Sequence, residues 1–534
     1  MDNHNSYVAE PSKAGVLLDD DAARLAAMGH KEEMPRQFSR LAALSFAFGI
    51  TNSWVGQSAT FPYPLLCGGG PGVFFSLILS GIACWFITLG LAELASAYPT
   101  SGGQYHFAYC VASKRSRVPI AFVTGWVSLL AWCLLTAAST IYAAQMIAAL
   151  ATMYNPSYES TAWQTYLIYI LIIIVVTAVL CFLPRQVPLI EKILFFASLL
   201  AFIVFFISVL AMSKEKTPAS QVFTKWENQS GWPDGFSFIL ATGTAMYCYI
   251  GTDAVIHLAE EIPHPGKNIP QVMNMTMGMG IFTALLWTVA FLFSVPDYAA
   301  IGGAALPLNE ILSRALSHPS LATFYICWFL FIYVGCAFSN LATVGRLAWA
   351  FARDGGMPAS ESLAKIHPVF PMPVNATIAC SIFIIAYGAI YCGSTQAFNS
   401  FLNSSILFIN LSYAIPQGIA VWRGRDNVLP EREMRLGRFG TFCNAFSVVW
   451  VSVYIVLFCF PTTANTSAQT MNYVSAVTAG CFLIIAVVWF SGKNKTFKGP
   501  NMPESLVANI DIIDGVDTRI ERTKSGVSSE GKKV

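Results

Sequence analysis

A chain of 534 residues that is 55% hydrophobic and only 11% charged is not a soluble globular protein, where about a quarter of residues carry charge; it is an integral membrane protein. A net charge of +2 offers no basic stripe, so no nucleic-acid partner is expected. Thirteen cysteines without a CxxC pair read as small packing residues, which predicts no disulfide, metal site or cofactor.

Residues 1–38 are polar, include Asp19-Asp20-Asp21 and lack the apolar stretch of a signal peptide. They read as a disordered cytoplasmic tail. Twelve apolar windows follow, near 41–66, 72–96, 119–150, 165–183, 189–212, 236–260, 271–295, 322–350, 374–392, 401–421, 441–460 and 471–490. Crossing a bilayer takes about 20 residues. The pattern predicts an all-α domain of twelve transmembrane helices over 39–492, then a second disordered cytoplasmic tail over 493–534. With both termini in the cytoplasm, every Lys and Arg falls on the inner side except Lys214, Lys216, Lys225 and Arg314. Such asymmetry sets orientation. The sequons Asn228-Gln229-Ser230 and Asn465-Thr466-Ser467 then lie outside.

The first window is interrupted at mid-span. Gly49 and Gly56 flank Ile50, the polar run Thr51-Asn52-Ser53, and Trp54. A broken helix at membrane depth exposes backbone polar groups, tolerated only against protein or a watery cavity. Unwound backbone can grip a ligand, and a half-helix N-terminus is electropositive. The structural alternative is a kinked helix whose hydroxyls cap its own carbonyls. The second window ends in Leu91-Ala-Glu-Leu-Ala-Ser-Ala-Tyr-Pro-Thr-Ser-Gly-Gly-Gln-Tyr105. Its Gly102-Gly103 suits a tight turn before a re-entrant piece. Glu93 is a candidate for proton coupling, or for an inner gate with Arg346 or Arg353; the alternative is a snorkelling carboxylate.

The sixth window breaks in the same way. Tyr247 and Tyr249 precede Ile250-Gly251-Thr252, and Asp253 and His257 follow. An ionisable residue inside a span marks a pathway or proton site by default. Asp253, with His257 one turn on, is a proton-coupling candidate; its alternative is a cap of the second half-helix. Two breaks at corresponding places in two halves point to the substrate site of a secondary transporter. Trp54, Trp132, Tyr247 and Tyr249 are candidates to face that site, since aromatic faces attract ammonium groups.

After the eighth window comes Gly345-Arg-Leu-Ala-Trp-Ala-Phe-Ala-Arg-Asp-Gly-Gly-Met-Pro358, then Pro371-Met-Pro-Val-Asn375. With the broken first span and the Glu93-to-Tyr105 block, this resembles the amino acid–polyamine–organocation superfamily of permeases, over residues 40–422. Gly49-Ile-Thr-Asn-Ser-Trp54 and Ala95-Ser-Ala-Tyr-Pro-…-Gly-Gly-Gln104 are most similar to the fungal amino acid/choline permeases, which include GABA and choline transporters. The resemblance implies a five-plus-five inverted repeat, about 41–212 and 236–422, with extra helices over 441–490. It implies substrate bound between spans 1, 3, 6, 8 and 10, with Tyr247 as a gating aromatic. Bacterial relatives show Gly-Ser-Gly where this chain has Thr51-Asn52-Ser53. Some proton-coupled members carry a lysine on span 5 in place of sodium, and that position falls on Ser198. Ser198, Ser339 and Thr343 are therefore candidates for a cation site.

These features predict a non-enzymatic secondary transporter importing a small amine-bearing solute, an amino acid or GABA-like compound, by proton symport. Choline or another quaternary amine is the alternative substrate, and a non-transporting amine sensor the alternative class. The plasma membrane is the expected location, with the vacuolar membrane as the alternative. The lipid bilayer, the solute and H+ are the expected partners.

Overall fold

The computed structural model describes residues 21–500 apart from 22–24, 27, 29, 32, 156, 296, 299–300, 302–305, 317 and 468–470. Residues 1–20 and 501–534, the greater part of both expected tails, lie outside the described residues. Among the described residues there is no strand. Eleven helices among the described residues are long and apolar enough to cross a membrane. The twelfth crossing is span 1, made of two short helices, Arg40–Thr51 and Ser53–Thr60.

The helical run Pro62–Ala97 is broken at Gly68 and Gly69, so span 2 proper begins at Gly70. Its N-terminal glycines let the loop before span 6 lie against the chain: a Cβ on Gly70 would sit 2.6 Å from the Gln221 carbonyl oxygen. A short helix, Gln104–Val111, follows the Gly102-Gly103 turn. Span 3 is Arg117–Tyr154, span 4 Ala162–Phe182 and span 5 Val187–Met212. Span 6 covers Asp234–Leu258 and is broken in the middle. Spans 7 to 12 are Pro265–Ser294, Pro319–Arg353, Val374–Gly393, Leu402–Arg423, Gly437–Leu457 and Val474–Thr496.

An even number of crossings puts the two ends of the bundle on one face, called here the terminal face. Span 6 enters from the far face, antiparallel to span 1, and its broken stretch packs directly on the broken stretch of span 1. The most apolar windows of spans 6 and 3 are 94% and 78% buried, against 17% for span 12. Spans 3 and 6 therefore form the centre, and span 12 lies at the lipid-facing rim. Leu171, Ile193, Ile207, Ile382 and Leu483 carry the apolar surface outward.

Parts of the expected tails are packed. Phe38 and Met34 are buried, the Phe38 amide donates to the Glu261 carbonyl at 3.1 Å, and Ser39 caps span 1. At the other end Lys493 Nζ donates to the Gly355 carbonyl at 2.8 Å. Phe497 is buried against Phe122 and Phe351. These segments carry apolar residues, and the bundle's terminal face gives them a place to bury.

Candidate functional site

Span 1 breaks at one residue. Asn52 has φ 23°, a conformation asparagine tolerates better than most residues. Its carbonyl starts the second half-helix by accepting from the Val55 and Gly56 amides, and its side-chain oxygen accepts from the Ser198 hydroxyl at 3.0 Å. The hydroxyls of Thr51 and Ser53 are buried without a hydrogen-bond partner among the described residues. Ser53 points at Gly280 of span 7, and Gly49 faces Glu191 and Ser339.

Span 6 breaks over a longer stretch. A tight helical turn, Met246–Tyr249, gives way to extended Ile250, left-handed Gly251 (φ 84°) and a second tight turn, Thr252–Leu258. Glycine is required at 251 twice over: the φ is positive, and a Cβ would meet Ile50 Cγ2 at 2.8 Å. The Thr252 hydroxyl lies 3.3 Å from that of Thr88.

Asp253 is the hub of the break. Tyr413 O–H donates to Oδ1, Gln104 Nε2 donates to Oδ2 at 2.6 Å and Trp132 Nε1 donates to Oδ2 at 3.3 Å. His257 Nε2 stands 3.5 Å from the same oxygen. His257 Nδ1 is 3.0 Å from the Ser101 carbonyl, a contact that needs the proton on Nδ1. One carboxylate thus ties span 6 to span 3, to span 10 and to the short helix after span 2.

A cavity of about 370 Å³ opens on the far face above the breaks, lined in part by Ser58, Thr60, Gln145, Asn309, Tyr142 and Tyr333. The last two stack with centroids 5.9 Å apart and donate to the Ala59 and Val55 carbonyls of span 1. The Tyr247 ring rests on Gly56 with Tyr142 and Tyr333 as neighbours. The terminal face is closed instead by ion pairs. Arg353 clasps Glu260 at 2.8 and 3.1 Å, and Arg346 clasps Glu261, which Gln37 also reaches.

The structure brings Gly49, Ile50, Thr51, Asn52, Ser53, Trp132, Tyr247, Ile250, Gly251, Thr252, Asp253 and His257 into or beside the paired breaks and separates the other candidates. Trp54 turns away: its indole donates to Ser198 Oγ at 3.1 Å and sits among Phe202, Phe205, Trp287 and Phe329. Tyr249 points to span 2, its hydroxyl 3.3 Å from the Leu77 carbonyl, because residues two apart in a helical turn lie on different faces. The three hydroxyls expected to share a cation do not converge. Ser198 bridges Asn52 and Trp54, Ser339 donates to Glu191, and Thr343 bonds the Ser339 carbonyl of its own helix at 2.9 Å. Glu93 does not meet Arg346 or Arg353, which Glu261 and Glu260 occupy; it holds Arg425 and Arg432 of the loop after span 10. Residues that sequence reasoning missed include Gln104, Tyr413, Tyr142, Tyr333 and Glu191. Only Glu191 had a local signal, a carboxylate inside an apolar window.

The sequence profile of the family described as amino acid permease matches residues 38–487. The chain belongs to the amino acid permease family. It is a permease of the amino acid–polyamine–organocation superfamily: a membrane transporter, not an enzyme. The permease is 29% identical over 498 residues to a transmembrane transporter of Metarhizium robertsii, covering 91% of this chain and 98% of that one. It is 28% identical to a choline transporter of Saccharomyces cerevisiae, covering 90% of this chain and 85% of that one. It is also 28% identical to a swainsonine transporter of Arthroderma benhamiae, covering 90% and 96%.

Proposed function

We propose that the permease is a secondary active transporter that imports a small amine-bearing solute, an amino acid or GABA-like ω-amino acid, by proton symport across the plasma membrane. The observation that carries this reading is the pairing of the two breaks beneath the far-face cavity, with the other face sealed by buried ion pairs. The arrangement fits one state of an alternating-access cycle, in which spans 1, 2, 6 and 7 rock against the rest. The distribution of basic residues supports a cytoplasmic sealed terminal face and an external open face. The Tyr247 and Trp132 rings and the Asp253 charge give an ammonium group aromatic and electrostatic contacts. The second half-helix of span 1 begins with backbone N–H groups, from which a carboxylate can accept.

Choline or another quaternary amine is the second reading. The choline transporter among the relatives favours it, and so does the bulkier Thr51-Asn52-Ser53 run where bacterial relatives have Gly-Ser-Gly. The test is uptake of radiolabelled GABA and of radiolabelled choline in transport-null cells, each competed by unlabelled amines. GABA uptake competed by ω-amino acids supports the first reading. Uptake of choline alone moves the assignment to the second. Binding without accumulation makes the protein a sensor, and uptake that no amine competes for overturns the proposal.

A further inference from the structure

Six acidic side chains are buried among the described residues: Asp21, Glu93, Glu191, Asp253, Glu260 and Glu261. Five have partners suited to a negative charge. Asp21 pairs with Arg36 at 2.5 Å, Glu93 with Arg425 and Arg432, Glu260 with Arg353 and Glu261 with Arg346. Asp253 has the phenol, amide and indole donors described above. Glu191 is the exception. It is 0% exposed, it sits in the second turn of span 5, and the only donor to it among the described residues is the Ser339 hydroxyl.

That hydroxyl has one hydrogen and three acceptors. Ser339 Oγ lies 2.8 and 2.9 Å from the two Glu191 oxygens and 3.1 Å from the Gly335 carbonyl of its own helix. A carboxylate here would compete with Gly335 for one proton and leave the rest of its charge without a donor, a costly arrangement away from water. A carboxylic acid removes the conflict. Its O–H donates to Ser339 Oγ, and the Ser339 hydrogen goes to Gly335. Among the described residues, the other elements supply no counter-charge at contact. Span 1 offers Gly49, whose Cβ would be 3.4 Å from Oε2. Span 7 carries Lys267 in its first turn, and the helix Pro307–Leu316 carries Glu310 and Arg314 towards the far end. Span 5 itself adds Lys192, which leaves the helix in another direction. Span 8 adds the Cys336 thiol and Arg346. The latter lies seven residues from Ser339, two helical turns nearer the terminal face, and is committed to Glu261.

We propose that Glu191 is the proton-carrying group of the transport cycle, loaded as a carboxylic acid in this far-face-open state. Its role rests on the proton-symport reading above. When the terminal face opens, Arg346 parts from Glu261 and becomes free to turn toward Glu191 on the same side of span 8. The acid then gives its proton to water entering from the cytoplasm, and the resulting carboxylate pairs with Arg346. On return, Arg346 goes back to Glu261 and Glu191 takes up a proton from the external side. One proton is bound and one released per cycle, with no other bond made or broken. Release is tied to gate opening because one arginine serves both carboxylates in turn.

The experiment uses the full chain in proteoliposomes, with labelled GABA and labelled choline as probes. Glu191→Gln keeps the shape of the acid and cannot titrate; Glu191→Asp keeps the proton and is the control for folding. Glu191→Gln is expected to retain exchange of labelled for unlabelled probe and to lose accumulation driven by an imposed pH gradient. Glu191→Asp should restore part of it. Infrared spectra of the reconstituted protein without probe should show a protonated-carboxyl band that Glu191→Gln removes. Gradient-driven accumulation undiminished in Glu191→Gln, or a band that survives it, overturns the inference and leaves the symport reading standing. A wild-type protein indifferent to the pH gradient but with a band lost in Glu191→Gln overturns symport instead, and keeps Glu191 as a protonated site.

Discussion

Asp253 has more donors than a helix cap needs. A cap requires one acceptor for one or two amides, whereas this carboxylate receives Tyr413, Gln104 and Trp132 and faces His257. Hydrogen bonds to a charged group contribute about 1.5–3 kcal/mol each. Asparagine would keep one acceptor and turn an N–H₂ toward donors. Asp253→Asn is therefore expected to weaken exchange and gradient-driven uptake together, since the break itself loses its anchor. Loss of the gradient-driven component alone would make Asp253 part of the proton pathway. Tyr247 is a different case. Its ring rests on Gly56 of the second half-helix of span 1, so in the proposed gating role the ring and not the hydroxyl is the working part. Tyr247→Phe should transport nearly as wild type, and Tyr247→Ala should raise the half-saturating concentration; losing a cation–π contact costs up to about 2 kcal/mol in a desolvated site. Equal damage from both would assign the role to the hydroxyl.

At the scale of elements, the proposed site is built from two helices that fail in different ways. Span 1 fails at a single asparagine, and span 6 over a tight turn, an extended residue and left-handed Gly251. Because Gly251 lies against Ile50, each break fixes the other's position. Gly251→Ala combines a positive φ, worth about 1–2 kcal/mol for a residue with a Cβ, with an overlap on Ile50. Uptake should fall markedly, and Ile50→Ala in the same chain should recover the steric part. No recovery in the double variant would assign the whole effect to backbone strain. The breaks were legible in the sequence because glycine and short polar residues interrupt long apolar runs, and only a membrane span makes that interruption conspicuous. The directions of the side chains were not. A one-residue kink sends Trp54 towards spans 5, 7 and 8, a rotation that the spacing of an ideal helix does not give, whereas the parting of Tyr249 from Tyr247 is what any helical turn gives residues two apart. Ion-pair partners were equally hidden. Glu93 lies more than three hundred positions before Arg425 and Arg432, while Glu260 and Glu261, which read as the end of a span, hold the arginines first considered for Glu93.

At the scale of the whole molecule, the far face is open and the terminal face is sealed, and the seal contains a group set to respond to pH. Asp354, just beyond span 8, accepts from Tyr105 O–H at 2.8 Å and lies 3.9 Å from His30 Nδ1. Burial pushes its carboxyl from 3.8 up to about 6, helped by Glu260 and opposed by Arg353 and the Tyr105 hydroxyl. Burial, with Arg353 and His106, pushes His30 down to about 2, so the histidine stays neutral across the range in which Asp354 titrates. An acid whose affinity for its proton is raised in the sealed form favours that form when protonated. The contribution is complete below about pH 3.8 and is lost as the pH rises through about 6. At neutral pH the sealed state must therefore hold an ionised Asp354 in a buried place, which biases the face towards opening. Hydrogen exchange of the segments 104–111 and 33–39 reports the seal directly. After correction for the intrinsic rate, protection should be greater at pH 5 than at pH 7, and Asp354→Asn should abolish the difference by keeping the high-protection value at both. Equal protection of the wild-type segments at the two values would mean that Asp354 stays buried and ionised without cost to closure, and that the arginine–glutamate pairs alone set the balance between the two faces.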